Sequence, residues 1–148
     1  MSADPAARNR TLLRVRYAET DQMGRAHHMQ YLAWFELGRT ELLRAAGVAY
    51  SEIERQGVML PVSNVEVEYT SGVGYDELVE IETRVSEVRS RTVSFAYVAI
   101  RAGTGEVLAS GTTRLVCTNA SGRPRRIPAH LITVLHSLQA ADPEGPRS

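Results

Sequence analysis

Between Met29 and Gly47 the apolar residues Tyr31, Trp34, Phe35, Leu42, Ala45 and Ala46 recur at helical spacing. Gly38 lies on the same stripe, while Glu36, Arg39, Thr40, Glu41 and Arg44 mostly take the other side. The pattern predicts one long amphipathic helix with Gly47 as its stop. Beyond Val58 the period changes to two. Val58, Leu60 and Val62 alternate; Val65, Val67 and Tyr69 oppose Glu66 and Glu68; Val79, Ile81, Thr83 and Val85 oppose Glu80, Glu82 and Arg84. These runs read as strands. A helix followed by a series of strands buries both best as an α+β fold, with the helix laid across one curved antiparallel sheet.

The remaining elements fit that plan. Leu12 to Tyr17 alternates as a first strand, with Leu13, Val15 and Tyr17 on one face. A short connection, Glu87 to Arg91, leads to a strand from Thr92 to Arg101, and Ala102-Gly-Thr-Gly105 turns the chain into another from Glu106 to Thr118. The sheet therefore has about five strands. Thr92 to Ile100 is apolar on both faces, as in a central strand covered by the helix on one side and by another subunit on the other. Leu131, Val134, Leu135 and Leu138 predict a short C-terminal helix. Residues 1–10 are expected to be a flexible N-terminus, 11–139 a single domain and 140–148 a disordered tail. Gly38 should cost about 1 kcal/mol relative to alanine in mid-helix, unless a strand must approach closely there.

Composition removes several classes of function. The formal charge is zero and the pI is near 6.9, so no net basic field gathers nucleic acid or an anionic membrane. All 17 cationic residues are arginine, which excludes a Schiff-base lysine and a P-loop lysine. Cys117 is the only cysteine and sits within an apolar alternation, so it reads as a buried structural thiol. MSADPAARNR has no apolar core of the signal-peptide kind, and the longest apolar run, Phe95 to Ile100, is too short to span a bilayer. A cytoplasmic protein is expected.

The chemistry concentrates in the loop before the helix, Arg16-Tyr-Ala-Glu-Thr-Asp-Gln-Met-Gly-Arg-Ala-His-His-Met-Gln-Tyr31. Asp21 suits either of two roles, a cap on the turn before Gly24 or a catalytic carboxylate held between rigid elements. His27 and His28 fall where a helix begins, with backbone N–H groups free to hold an oxyanion. Asp21, His27 and His28 lack the spacing of a zinc site, and no metal or cofactor is expected. No serine lies in a glycine-flanked elbow. Arg89 and Arg91, with Arg123, Arg125 and Arg126, are candidates for local contacts to phosphate, or are solvated turn charges.

The pattern of Tyr17, Thr20-Asp21, Gly24, His28 and Tyr31 running into Trp34-Phe-Glu-Leu-Gly-Arg-Thr-Glu-Leu-Leu-Arg44 closely resembles the hotdog-fold acyl-CoA thioesterases of the 4-hydroxybenzoyl-CoA thioesterase type, in particular the YbgC-like branch. The likeness extends through Val65-Glu-Val-Glu-Tyr69, the strands up to Val116-Cys117 and Gly122-Arg-Pro-Arg-Arg-Ile-Pro128. It implies a hotdog fold that pairs into homodimers, often homotetramers, with sites at the subunit interface. It further implies an acyl-CoA substrate, Asp21 as catalytic base or nucleophile, the His28 backbone N–H as oxyanion donor with its side chain near the substrate, and Tyr31 beside the acyl pocket. Gly24, His27, Arg89 and Arg91 complete the expected substrate-binding set. Arg25 and Ala26 stand where the branch commonly carries apolar residues, and Gly72 where it usually carries proline. A non-catalytic acyl-CoA-binding module, or a hotdog hydratase or dehydratase, would share the fold.

Overall fold

The computed structural model describes residues 8–141. The elements run β1 (Arg8–Arg14), a 3-10 turn (Tyr17–Glu19), α1 (Gln30–Ala45), α2 (Tyr50–Arg55), β2 (Val62–Tyr69), β3 (Leu78–Val88), β4 (Thr92–Arg101), β5 (Val107–Val116) and α3 (Ala129–Ala141). The five strands form one sheet in the order β1-β3-β4-β5-β2, with every neighbouring pair antiparallel. Register shifts at Val62/Asn64, Val85/Glu87 and Ala99/Ile100 interrupt the ladder, and bulges of this kind bend strands and increase their twist. One long helix packed against a curved antiparallel sheet is the arrangement the period change predicts.

Burial alternates along β4, and along β3 as far as Thr83, beyond which Arg84, expected on the polar face, is buried together with Val85. Val79, Ile81 and Val85 of β3 and Val93, Phe95, Tyr97 and Ala99 of β4 share one core with Tyr31, Trp34, Phe35, Leu42 and Leu43 of α1 and Leu131, Leu135 and Leu138 of α3. Phe35 stacks on Tyr97 with ring centroids 4.5 Å apart. At Gly38 helix and sheet come close together. A Cβ there would overlap Thr83 Oγ1 and lie 2.9 Å from Ile81 Cγ2, so the close approach that a mid-helix glycine suggested is present.

Four details depart from the sequence reading. First, β1 begins at Arg8 and ends at Arg14, because it pairs with β3 from Arg84 back to Leu78; Arg8 to Arg10 are strand, and Tyr17 turns outward and is exposed. The expectations for residues 1–7 and 142–148 lie outside the described residues. Second, α2 is a helix of six residues with only Ile53 buried, too short for a period to register. Third, Val58 and Leu60 are buried but precede β2, joined to the rest through a Met59–Thr118 bridge. Fourth, Arg39 faces inward despite its charge, with Nη1 donating to the Tyr97 hydroxyl at 3.4 Å. Among the described residues no helix is long and apolar enough to cross a membrane.

Candidate active site

The loop between β1 and α1 is fixed before it presents anything. Glu19 is buried, and its Oε1 accepts the Arg16 N–H at 2.7 Å while Oε2 accepts the Trp34 indole N–H at 3.0 Å. Burial works to raise the Glu19 carboxyl, but these hydrogen bonds and the Arg16 guanidinium outweigh it and hold the group below its ordinary value. The Glu19 carbonyl in turn accepts the His27 N–H at 2.8 Å, so one residue ties both ends of the loop and docks it on α1.

Beyond that anchor the chain makes a small hairpin. Thr20 bridges Ala26, the Arg25 carbonyl accepts the Asp21 N–H at 2.7 Å, and Gly24 takes φ +78° at the bend, a conformation in which a side chain is strained. A second bridge, Arg25 to Gly74, together with the Ala26 N–H donating to Val73 O, seats the hairpin on the segment entering β3. Asp21 Oδ1 accepts the N–H of Met23 at 2.8 Å and of Arg25 at 3.3 Å. The turn-capping role therefore exists, but it occupies one oxygen. Among the described residues Oδ2 accepts no hydrogen bond, and the side chain is partly exposed.

Just ahead of α1, His27 Nδ1 accepts the N–H of Met29, the residue that precedes the helix, at 3.2 Å. The His28 ring stacks on His27 at 4.3 Å, and the His28 carbonyl accepts the Tyr69 hydroxyl at 2.7 Å. Burial raises the Tyr69 and Tyr31 phenols, which keeps them protonated. Among the described residues the His28 N–H donates to no other group. Tyr31 is buried against Trp34 and Tyr69, with ring centroids at 4.7 and 5.2 Å. His27, His28 and Tyr31 thus gather with Tyr69 at the head of α1, and Asp21 and Gly24 lie in the hairpin that leads into it.

A profile of the thioesterase-like superfamily matches residues 15–135. The chain belongs to this superfamily. It is similar to YneP of Bacillus subtilis, with 35% identity over 107 residues that cover 72% of this chain and 77% of YneP. It is also similar to the acyl-CoA thioesterase YbgC of Haemophilus influenzae, with 30% identity over 129 residues, 86% of this chain and 93% of YbgC. Among solved structures, DHNA-CoA thioesterase from Staphylococcus aureus superposes with a TM-score of 0.87 at 29% identity, covering 95% of this chain and 97% of that one. The hotdog fold implied by the loop motif is the fold of this superfamily member.

Within the superfamily fold, Arg89 and Arg91 lie apart from the loop. They occupy the β3–β4 turn, and the 11-residue β3 places its far end on the order of 30 Å from the Leu78 end beside the hairpin. Arg89 is paired with Glu87, Nε to Oε1 at 3.2 Å. Arg123, Arg125 and Arg126 come to the same distant end, since the Ile127 N–H donates to Ser90 O and the Cys117 N–H to Arg91 O. Cys117 is buried with its thiol pushed up by that burial, as a structural cysteine would be. Glu19 had no signal of its own in the sequence, because its partner Trp34 is fifteen positions away and is recognised only once α1 is docked.

Proposed function

We propose that the protein hydrolyses a small or medium acyl-CoA, or an aryl-CoA, to the free acid and CoA. The observation that carries this reading is the pairing, on one pinned loop, of a carboxylate oxygen with no other partner, Asp21 Oδ2, and a backbone N–H with no other partner at the head of α1, that of His28. In this reading the His28 N–H holds the thioester carbonyl oxygen as it becomes an oxyanion. Asp21 either takes a proton from the attacking water or attacks the carbonyl carbon itself. In both cases the C–S bond breaks, the thiolate leaves and is protonated, and water supplies the oxygen of the free acid. A thiolate leaves readily, so neither a metal nor a strong general acid is required. The names of YbgC and of the Staphylococcus aureus enzyme support CoA thioesters as the substrate class.

Tyr31 and Tyr69 supply an aromatic wall beside the proposed carbonyl site, and the His27 and His28 rings line its entrance. Arg89 and Arg91 enter the reading through a second copy of the chain, as subunit-borne contacts to the nucleotide phosphates. A homodimer or homotetramer is accordingly part of the proposal. It is supported by β2, an edge strand whose residues are mostly exposed, with Val62, Val65 and Tyr69 more than two-fifths exposed.

The test is release of free thiol from a panel of short, medium, long-chain and aromatic acyl-CoA esters by the wild type and by Asp21→Asn. Hydrolysis that collapses in the variant supports the assignment. Hydrolysis that persists in Asp21→Asn defeats the role of Asp21, and no hydrolysis of any ester favours a binding module instead.

A further inference from the structure

One cation near Asp21 has no acid to balance it. Arg25 is exposed, and among the described residues its guanidinium makes neither an ion pair nor a hydrogen bond. Its backbone is nonetheless tightly placed, exchanging bonds with Asp21 on one side and bridging Gly74 on the other. The side chain leaves this point across Gly72. A Cβ on Gly72 would lie 2.7 Å from Arg25 Cδ and 2.9 Å from Nη1, so the missing side chain is the space the arginine occupies.

The seat itself is rigid. Arg101 Nη2 donates to the Gly72 carbonyl at 2.8 Å, and Arg101 is in turn held by Glu77 and by Glu106, whose Oε1 lies 2.9 Å from its Nε. Ser71 Oγ donates to the other Glu106 oxygen at 3.1 Å, and the Gly74 N–H donates to Glu77 Oε2 at 2.7 Å. Two carboxylates are thus committed to Arg101, and neither is spent on Arg25. A long, flexible side chain without a partner normally samples many rotamers at the surface. Here a fixed notch restricts it, next to the loop that carries the candidate carboxylate.

We propose that Arg25, seated on Gly72, is a specificity-determining residue that recognises an anionic oxygen carried by the substrate. The inference rests on the thioesterase reading for the identity of the ligand, and its chemistry is that of a guanidinium meeting a carboxylate or phosphate. The anion has two sources, a carboxylate on the acyl group or a phosphate of CoA. In the thioesterase reading Asp21 faces the acyl carbonyl, and the Arg25 backbone is hydrogen-bonded to Asp21, which puts the guanidinium on the substrate side of the loop.

The experiment measures binding, so that it does not depend on turnover. Non-hydrolysable thioether analogues are titrated calorimetrically in four forms: CoA or pantetheine as carrier, each with a neutral acyl group or with one ending in a carboxylate. Arg25→Ala should weaken an analogue bearing the recognised anion by about tenfold and leave the neutral pantetheine analogue within about twofold. Loss that follows the carrier identifies phosphate, and loss that follows the acyl group identifies carboxylate. Gly72→Ala carries no charge change and displaces only the flexible arginine, so the fold should tolerate it. It should reproduce part of the loss and add nothing in the Arg25→Ala background. Equal weakening of all four analogues, no weakening of any, or no binding by the wild type overturns the recognition role. Full additivity of the two substitutions overturns the seat. Absence of hydrolysis by the wild type would defeat the thioesterase reading while these affinities still decide the role of Arg25.

Discussion

Glu19 and Asp21 flank a single threonine, and the fold treats them in opposite ways. Glu19 is 6% exposed, with both carboxylate oxygens engaged by groups of the loop and of α1. Asp21 is partly exposed and uses one oxygen for its own turn. The difference lies in where the partners come from. The partners of Glu19 include a side chain distant in sequence, so its bonds hold the loop to the core; those of Asp21 are its immediate successors, so its bonds shape only the turn. In the proposed reading a reactive carboxylate needs an oxygen free for substrate and a frame that does not move, and the two neighbouring acids would divide these requirements.

The largest expected effect follows from that division. Asn at position 21 can still accept the Met23 and Arg25 N–H groups, so Asp21→Asn should leave the midpoint of urea unfolding nearly unchanged. Its hydrolytic kcat should fall by about 10²–10⁴-fold, the usual range for loss of a positioned base. Equal losses of kcat in Glu19→Gln and Asp21→Asn, both measured by thiol release, would erase the distinction between the two acids.

Glu19→Ala should act first on stability. It leaves the buried Trp34 indole N–H without its acceptor, at about 1–3 kcal/mol, and the part-buried Arg16 N–H without its own, at less, so the total should be about 3 kcal/mol. Denaturant unfolding would read this as a lower midpoint at an unchanged slope. Trp34→Phe removes the donor but keeps most of the ring, and should cost less, about 1–2 kcal/mol. If Trp34→Phe proved as costly as Glu19→Ala, packing of the indole and not its hydrogen bond would be what holds the loop.

Much of this frame is written in local pattern. The α1 stripe, the alternation in β3 and β4 and the demand of Gly38 for a close neighbour are each properties of a few adjacent residues, and each reappears in the structure. Interactions that depend on docking are not local. Nothing near Glu19 announces Trp34, nothing near Arg39 announces the Tyr97 hydroxyl, and the notch at Gly72 has meaning only once Arg25 crosses it. The candidate site was legible to the extent that it is one continuous segment, from Asp21 to Tyr31. Arg89 and Arg91 show the converse, since the sequence offered them equally as phosphate contacts or as turn charges, and their distance from Asp21 is set by the length of β3.

The smallest expected effect concerns acid, and it isolates the charge of Glu19 from its shape. Because the folded carboxyl is held below its ordinary value, the carboxylate stabilises the fold fully above the unfolded glutamate range near about 4.3. As the pH falls through the lower folded value, the folded state must take up a proton at a site built for the anion, and the stabilisation is lost. Glu19→Gln has no such proton to take up. Unfolding free energies of wild type and Glu19→Gln should therefore differ most at neutral pH and converge as the pH falls below about 4, with other carboxylates cancelling in the comparison. A gap that stays constant through this range would mean that the Arg16 and Trp34 donors do not favour the charged form, and that Glu19 anchors the loop by packing alone.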